Sequence, residues 1–285
     1  MTKLKAKPPS SEAARLKCLL YGEAGVGKTW AAIGMPKPYI IDTERSSAHY
    51  AERITAGGGV VLETLDMQEI IDQVSALLTE RHSYLTLVID SFTPVYEAAL
   101  DDAEKKVGSE FGRHYGEANK SCKRLFRLLS MLDMHVIVTS HSKNEYGDGM
   151  KVMGQVHDGW KKLPYLFDLS LYLTREGALR YAKVVKTRFE AFPDQSRFEW
   201  SIEELARRVG DKWEAAVKPV EMATPEQVAR MEELVKELSL PAETVEKLWT
   251  KAGVDGFKDM TAEQIAQAVV FYENKLRALV PAQED

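Results

Sequence analysis

A glycine-rich segment near the start of the chain has the residue types and spacing of a phosphate-binding loop. The segment GEAGVGKT fits the pattern G-x-x-x-x-G-K-[S/T] and lies between an apolar stretch and a stretch with helical character. Backbone N–H groups of such a loop point at phosphate oxygens, its lysine neutralises the β- and γ-phosphates, and its threonine ligates Mg²⁺. The sequence therefore predicts an ATP and Mg²⁺ site, and a chance glycine-rich turn is the alternative. The expected nucleotide-binding residues are Gly22, Glu23, Ala24, Gly25, Val26, Gly27, Lys28, Thr29 and Trp30.

Carboxylates end two apolar, strand-like segments that follow the loop. Asp90 ends LTLVID, where an acid is needed beneath a Mg²⁺ site, so Thr29 and Asp90 are the predicted metal residues. Glu44 follows YIID and is the candidate base for the water that attacks the γ-phosphate. Asp42 is closer to this strand and is expected to be structural. From spacing alone, a turn cap at Asp90 and a solvated loop acid at Glu44 are alternatives.

A histidine ends a further strand-like segment, HVIVTSH. Polar residues at the carboxyl edge of a parallel sheet can hydrogen-bond the γ-phosphate, so His141, after Thr139 and Ser140, is a candidate nucleotide contact. A loop histidine without a role in binding is the alternative.

The segments that must position these residues alternate between strand and helix patterns. Strands are predicted at 16–21, 39–42, 84–90 and 135–140, and helices from residue 28 and over 67–80, 94–106 and 117–133. Continuously apolar strands that alternate with helices indicate an α/β fold with a mainly parallel sheet flanked by helices. DLSLYLT and LRYAKVVKT, joined by REGA, predict a hairpin that extends the sheet. The weakly periodic connection before this hairpin, 141–167, is expected to be functional or mobile.

The C-terminal part has the pattern of a small helical module. Three amphipathic helices are predicted there, two of them with Thr224 and Thr261 as N-caps. The expected organisation is a polar arm over 1–15, an ATPase core over 16–215, a linker over 216–223 and the helical module over 224–285.

Composition favours a globular protein that does not enter a membrane. Of the 285 residues, 45% are hydrophobic and 28% are charged. No apolar run reaches the ~20 residues of a membrane span, and no signal-peptide core follows the N-terminus. Cys18 and Cys122 lie in apolar-periodic segments and are expected to be reduced core thiols of a cytoplasmic protein.

The charge is unevenly distributed along the chain. The net charge is −5, but residues 221–285 carry 7 Lys and Arg against 13 Asp and Glu, so the remainder is balanced.

Residues 105–127 are basic, and cations alternate there with aromatic residues as a single-stranded DNA platform requires. The basic solvent face of a helix is the alternative. The candidate DNA-binding residues are Arg113, His114, Tyr115, Lys120 and Lys123, with Phe111 beside them, and a weaker second cluster contains Lys143 and Lys151 with Lys161, Lys162 and Trp160.

Two cations end the strand-like segment AKVVKTRF. Lys186 and Arg188 are two residues apart, so they share one face of the strand. In isolation they fit an edge strand that charged side chains protect from aggregation.

Five segments in this order, GEAGVGKT, IIDTE, LVIDS, VIVTSH and VVKTR, resemble the ATPase core of RecA-type recombinases over roughly residues 15–215. The chain is similar in particular to compact, phage-encoded members that act in single-strand annealing or recombination. The resemblance implies that Glu44 is the catalytic carboxylate and Asp90 the acid beneath Mg²⁺. His141 stands where the family usually has a glutamine that couples the γ-phosphate to DNA binding.

The resemblance also implies a role for the paired cations. Lys186 and Arg188 match a strand that reaches the nucleotide of the neighbouring subunit, and with Lys28 and Glu44 they complete the predicted catalytic set. DNA-binding loops are implied near 107–117 and from Ser142 onward. The chain shows no counterpart of the large domains that bacterial recombinases use for duplex handling. Annealing is therefore a firmer expectation than full strand exchange.

The predicted function is a Mg²⁺-dependent ATPase that binds single-stranded DNA as a homo-oligomer, a filament or a ring, and promotes strand annealing or homologous recombination. The acidic helical module favours a protein partner, such as a single-strand-binding protein or another replication protein, or an autoinhibitory role. Two alternatives are an ATP-switched loader of a replication complex and a nucleotide-binding scaffold that hardly hydrolyses ATP.

Overall fold

The computed structural model describes residues 15–279, apart from residues 148 and 150. Of the predicted N-terminal arm over 1–15, only Arg15 lies within the described residues. The predicted helical module over 224–285 is described as far as residue 279.

Nine strands in the described residues form one mixed sheet. Their order along the sheet is β3-β2-β4-β5-β1-β7-β8-β9, and β6 pairs with β5 alone. The strands from β3 to β7 along this path pair in parallel, whereas β5–β6, β7–β8 and β8–β9 are antiparallel. The strands are β1 Lys17–Gly22, β2 Pro38–Asp42, β3 Val60–Glu63, β4 Thr86–Asp90, β5 His135–Tyr146, β6 Val152–His157, β7 Leu169–Glu176, β8 Leu179–Thr187 and β9 Arg197–Glu199.

Ten α-helices accompany the sheet in the described part of the chain. They are α1 Lys28–Ala32, α2 Ala51–Ala56, α3 Met67–Thr79, α4 Phe92–Val107, α5 Arg113–Met131, α6 Leu163–Leu166, α7 Ile202–Val209, α8 Pro225–Glu237, α9 Ala242–Ala252 and α10 Ala262–Leu279. The predicted fold class, an α/β protein with a mainly parallel sheet flanked by helices and a helical C-terminal region, is confirmed. None of the described helices is both long and apolar enough to cross a membrane.

The described residues divide into two compact units. The first unit comprises 15–66, 83–99 and 133–217 and contains the whole sheet. The second comprises 67–82, 100–132 and 218–279, so it also takes in two segments that the sequence assigns to the ATPase core. The domain boundaries at 216–223 therefore stay a prediction.

The core of the first unit is built on the central strands. All five residues of β4 are buried, as are the five that follow Lys17 in β1. Strands covered on both faces need continuously apolar side chains, which explains why these segments lack the alternation of a half-exposed strand. Phe192 and Trp213 join the same apolar cluster from the chain that follows β8.

Register brings the polar strand ends together at one edge of the sheet. Asp42 of β2 lies opposite Asp90 of β4, and Gly22 of β1 lies opposite His141 of β5. Because these strands are parallel, their carboxyl ends, with the segments that follow them, share this edge. The order of the strands therefore assembles a site from residues far apart in sequence.

The second unit contains helices whose apolar stripes are buried. The stripe predicted for α3 is confirmed, since Met67, Ile70, Ile71, Val74, Leu77 and Leu78 are all buried. Thr224 and Thr261 are N-caps as predicted: each hydroxyl accepts a hydrogen bond from the backbone N–H of the glutamine three residues later, and each glutamine side chain accepts one in return. Each such cap contributes about 1 kcal/mol to helix stability.

The connection over 141–167 has more regular structure than its sequence indicates. β5 does not end at Ser140 but continues to Tyr146 and pairs with β6, with Ser142 opposite His157. Most residues of β6 and of this extension are exposed or half-buried. A hairpin without a buried face needs no alternation of apolar residues, so the sequence carries no periodic signal for it.

Both cysteines are buried and unpaired, as predicted. Burial raises the pKa of the Cys122 thiol to about 12 and raises that of Cys18 further. Neither thiol therefore has the thiolate character of a reactive cysteine.

Candidate active site

The phosphate loop links β1 to the first turn of α1. Gly25 and Gly27 have positive φ angles of 77° and 93°, which favour glycine. Gly22 allows a close backbone approach, because a Cβ there would lie 2.6 Å from the carbonyl oxygen of Leu173. The chain thus curls tightly before α1, as a loop that cradles phosphates must.

Lys28 lies over this loop at the start of α1. Its Nζ donates hydrogen bonds to the carbonyl oxygens of Gly22 and Glu23, each at 3.0 Å. Burial lowers the pKa of Lys28, and the nearby carboxylates of Asp90 and Glu44 partly oppose this effect. The structure therefore brings the ammonium together with both predicted acidic residues.

Asp90 is a buried carboxylate at the end of β4. It accepts hydrogen bonds from the hydroxyl groups of Thr139 and Thr29. Burial raises the pKa of Asp90 by more than these hydrogen bonds lower it. The two predicted metal residues, Thr29 and Asp90, are thus in direct contact.

The oxygen donors of this pair fit Mg²⁺. Magnesium is held in nucleotide sites by one or two protein oxygens, with phosphates and water as the other ligands. In the described part of the chain, no group of three or more His, Cys, Asp or Glu is placed to hold a metal by itself. The pair Thr29 and Asp90 therefore suits a metal that arrives with its nucleotide.

The Glu44 carboxylate is held by two donors. Its Oε1 accepts hydrogen bonds from the Ser91 hydroxyl at 2.6 Å and from His141 Nε2 at 2.7 Å. Burial raises the pKa of Glu44, but the hydrogen bonds from Ser91 and His141, with the charge of Lys28, bring it below its ordinary value. Glu44 is therefore ionised at neutral pH, as a general base must be.

Asp42 fixes the loop that carries Glu44. Its two carboxylate oxygens accept hydrogen bonds from the backbone N–H groups of Glu44, at 3.1 Å, and Ser47, at 2.7 Å. Asp42 is also almost fully buried. These contacts give it the structural role that the sequence predicts.

The backbone of His141 is fixed on both sides. Its N–H donates to the Thr93 hydroxyl at 3.0 Å, and its carbonyl accepts from the N–H of Asp158 at 2.8 Å. Its side chain remains about half exposed. His141 is thus a fixed point where the sheet edge continues into the β5–β6 hairpin.

Sequence reasoning missed two residues of this network. Ser91 contacts Glu44 and directly follows Asp90 in LVIDS. A polar residue at the end of a predicted strand was the sequence signal that could have identified it. Thr93 bonds to His141 from the first turn of α4, and no pattern in the sequence marks it.

Lys186 and Arg188 lie at the edge of the sheet where the parallel strand β7 begins. The phosphate loop of their own chain lies at the opposite edge, where the parallel strands end. Lys186 is paired with Ser170 near the start of β7, and Ser170 is paired with Leu19 in β1. β7 is parallel to β1, so its start is remote from the carboxyl edge where the loop lies. The structure therefore does not bring these cations to the other predicted catalytic residues within one chain.

Both cations have partners within the chain. Lys186 Nζ donates to the carbonyl oxygens of Pro164 and Phe167, at 2.7 and 2.6 Å. Arg188 follows the last residue of β8 and forms an ion pair with Asp168 at 2.9 Å. β9 pairs with β8 only from Tyr181 to Lys183, so the end of β8 that carries Lys186 lies beyond this pairing.

The candidate DNA-binding residues of the second unit lie on the first turns of α5. α4 ends at Val107, and α5 begins at Arg113, so helix replaces most of the DNA-binding loop expected at 107–117. Phe111 is fully exposed and has a positive φ of 53°. The rings of His114 and Tyr115 are in contact, with centroids 4.2 Å apart, and Tyr115 is half exposed.

Acidic neighbours partly neutralise the positive charge of the surface around α5. Arg113 forms an ion pair with Glu110 at 3.2 Å, and Lys120 forms one with Glu117 at 2.9 Å. Lys123 is exposed on the same helix. These pairs are exposed, so a phosphate can compete with them at little cost.

The second predicted cluster of cations lies in the first unit and is weaker than its sequence suggests. Lys143 forms an ion pair with Asp158 at 2.8 Å, and Lys151 is exposed. Trp160 is buried, so it cannot stack on a base as the sequence suggested. The hairpin instead exposes Tyr146 and Met153.

Comparison with known proteins places the chain in a family. Among solved structures, the chain is similar to a crystal structure of the RadB recombinase, with a TM-score of 0.44 and 20% identity over 73% of this chain and 92% of that one. It is also similar to a DnaB-like replicative helicase, in a structure that describes its interactions with primase, with a TM-score of 0.40 and 10% identity over 62% of this chain and 53% of that one. No curated protein matches significantly. Residues 14–194 match the family described as AAA domain, and the chain belongs to this family of P-loop nucleotide-binding domains.

Proposed function

We propose that the protein is a Mg²⁺-dependent ATPase that binds single-stranded DNA as an oligomer and promotes strand annealing or homologous recombination. The observation that carries the ATPase proposal is the position of Glu44. An ionised carboxylate, held by Ser91 and His141, lies at the sheet edge that also carries Lys28 and Asp90. This is the arrangement that phosphoryl transfer to water needs.

Each residue of the site has a distinct role in this proposal. Glu44 orients the attacking water and accepts its proton. Lys28 neutralises the β- and γ-phosphates, while Thr29 and Asp90 hold Mg²⁺. When bound, the metal ion neutralises charge on the phosphate oxygens.

His141 couples the site to the β5–β6 hairpin in this proposal. Its Nε2 holds the Glu44 carboxylate, and its backbone begins the extension of β5 that pairs with β6. Lys143 and Lys151 belong to this hairpin or to its connection. DNA bound there would shift His141 and so change the position of the base.

Single-stranded DNA is the partner that the surface around α5 favours. A fully exposed phenylalanine, Phe111, next to exposed cations suits bases that are free to stack. A stacked base contributes about 1–3 kcal/mol, and each phosphate contact adds a salt-dependent term. Arg113, His114, Tyr115, Lys120 and Lys123 are the proposed contacts.

The proposed assembly gives the paired cations a role in catalysis. Lys186 and Arg188 are at the far edge of the sheet from the phosphate loop of their own chain, so in this proposal they contact the ATP of a second subunit. A cation supplied in this way raises the rate by about 10³–10⁵ in related phosphoryl-transfer reactions.

The proposed hydrolysis is tested with Glu44→Gln. The amide keeps the size of the side chain but cannot accept the proton of water, so turnover should fall at least about 100-fold while ATP still binds. Glu63→Gln is the matched control, because Glu63 ends β3 at the same sheet edge and is exposed. Unchanged turnover in Glu44→Gln would favour a scaffold that binds nucleotide without hydrolysing it.

An ATP-switched loader is the second candidate, and the acidic C-terminal region favours it. Residues 221–285 carry 13 acidic against 7 basic residues, which suits a protein partner better than DNA. A loader would respond to a partner protein and not to bare single strands. Stimulation of ATPase by single-stranded DNA alone would therefore exclude this candidate.

A further inference from the structure

Two arginines enclose the tryptophan that follows the phosphate loop. The guanidinium carbons of Arg53, from α2, and Arg180, from β8, each lie 4.1 Å from the centre of the Trp30 ring. Trp30 belongs to the first turn of α1, next to Thr29. Cation–π stacking thus holds two positive charges at the start of this helix.

Arg180 also lies against the phosphate loop itself. A Cβ atom at Gly27 would be 2.2 Å from Arg180 Nε and 2.9 Å from its guanidinium carbon, so any larger residue there would displace the guanidinium. Gly27 directly precedes Lys28 and has a φ of 93°. The guanidinium is therefore packed on the loop that is built to receive phosphate.

The cations around Trp30 have no acidic counterpart in the described part of the chain. Burial lowers the pKa of Arg180, and the positive charges of Arg175 and Arg53 lower it further. Arg180 Nε is buried and makes no hydrogen bond to any described residue. By contrast, Arg197 on the neighbouring strand is paired with Glu176. The cluster therefore places an excess of positive charge beside the phosphate loop.

We propose that Arg180 is a nucleotide-binding residue that contacts the phosphate chain of ATP from its own subunit, while Trp30 and Arg53 hold its guanidinium at the loop. The inference rests on the proposed ATP-binding function and adds a contact to it. It differs from the proposed roles of Lys186 and Arg188, because Arg180 acts within one chain. A bound phosphate would accept hydrogen bonds from the guanidinium of Arg180 and offset its repulsion by Arg53 and Arg175.

The test measures the dissociation constants of ATP, ADP and adenosine without DNA, for the wild type, Arg180→Ala and Arg180→Gln. Arg180→Gln keeps a long polar side chain and serves as the second variant if Arg180→Ala folds poorly. Loss of one charge-assisted hydrogen bond should weaken ATP and ADP binding about 10–100-fold in both variants and leave adenosine binding unchanged. Arg197→Ala is the control and should bind all three ligands as the wild type does.

Three results would overturn the inference or separate it from the proposed function. ATP affinity equal to that of the wild type in Arg180→Ala or Arg180→Gln would contradict it. An equal loss for adenosine would show that Arg180 contacts the nucleoside, and the phosphate assignment would then be wrong. If the wild type itself bound no ATP, the proposed function would fail and this inference with it.

Discussion

His141 Nε2 lies 2.7 Å from Oε1 of Glu44, although the two residues are 97 positions apart in the chain. Glu44 follows β2 and His141 lies within β5, and these two strands are separated in the sheet by β4. Ser91, at the end of β4, contacts both, at 2.6 Å from Glu44 Oε1 and 3.4 Å from His141 Nε2. The candidate base is thus linked across three strand ends to the residue from which the β5–β6 hairpin extends.

His141→Ala should remove the stimulation of ATPase by single-stranded DNA. Without the imidazole, Glu44 loses one of its two hydrogen-bond donors and its link to the hairpin. His141→Gln retains a donor, so it should keep at least part of the stimulation. The measurement is the ratio of steady-state turnover with and without saturating single-stranded DNA.

Basal turnover without DNA is the internal control for this pair of variants. Because His141 also helps to keep Glu44 ionised, basal turnover should fall modestly in His141→Ala. Full DNA stimulation in His141→Ala would show that the hairpin communicates with the site by another route.

Ser91→Ala should shift the acid limb of the pH–rate profile to higher pH. The hydrogen bond from Ser91 lowers the pKa of Glu44, and the base must be ionised to act, so the rate falls as the pH drops through this pKa. Loss of the hydroxyl raises the pKa, and inactivation then begins at a higher pH. The profile of kcat/KM between about pH 3 and 7 measures the shift.

Ser130→Ala is the control for this profile, because Ser130 is an exposed serine at the end of α5. Its profile should overlay that of the wild type. If the acid limb of Ser91→Ala also overlaid the wild-type curve, the pKa that limits the rate would belong to a group other than Glu44.

Mixing two inactive variants should restore ATPase activity if the paired cations act between subunits. Arg188→Ala keeps an intact Glu44, and Glu44→Gln keeps an intact Arg188, so a mixed assembly contains some complete sites. Arg188 is suitable for this substitution because its ion pair with Asp168 is exposed and contributes at most about 1 kcal/mol to stability, so Arg188→Ala should still fold. The measurement is turnover of the equimolar mixture against that of each variant alone.

Lys183→Ala is the matched control, since Lys183 is an exposed lysine on the same strand, and it should retain wild-type turnover. The proposal would be contradicted if the mixture were no more active than its components, or if Arg188→Ala kept full turnover. Lys186 and Arg188 would then have a structural role only. In that case Lys186 would serve to bind the carbonyl groups that precede β7.

Phe111→Ala should weaken single-stranded DNA binding by roughly 5–100-fold, the equivalent of one lost base stack. The side chain is fully exposed, so its removal should not change the free energy of unfolding appreciably. Lys123→Ala should instead lower the slope of log affinity against log salt concentration by about 0.7. Lys251→Ala, an exposed lysine at the end of α9, should change neither quantity.

Fluorescence anisotropy with a labelled oligonucleotide at several salt concentrations measures both effects. If Phe111→Ala bound DNA with wild-type affinity, base stacking would have to occur elsewhere, and the exposed Tyr146 of the hairpin would be the next candidate.

The parts of the structure that the sequence predicted well are those with a local signal. The phosphate loop has a fixed spacing, α3 has a regular apolar stripe, and the central strands are continuously apolar. Each of these patterns arises because one short segment must form the hydrogen bonds of its own backbone and bury its own apolar side chains. The carboxyl ends of β2, β4 and β5 could also be assigned to one edge, since parallel strands share it.

The contacts between distant segments could not be predicted in this way. The triangle of Glu44, Ser91 and His141 depends on strand order, and the stack of Arg53, Trp30 and Arg180 joins three separate elements. The REGA turn marks the β7–β8 hairpin locally, but the position of the paired cations at the far edge of the sheet also depends on the parallel pairing of β7 with β1, which no local pattern encodes.

In the proposed function, hydrolysis depends both on assembly and on single-stranded DNA. The most direct test is ATPase turnover per protomer, measured over a wide range of protein concentration, with and without single-stranded DNA, at two salt concentrations. We expect turnover to rise with protein concentration and with DNA, and the DNA effect to weaken at the higher salt concentration. Turnover that is independent of both protein concentration and DNA would contradict the action of Lys186 and Arg188 between subunits together with the proposed role in annealing or recombination.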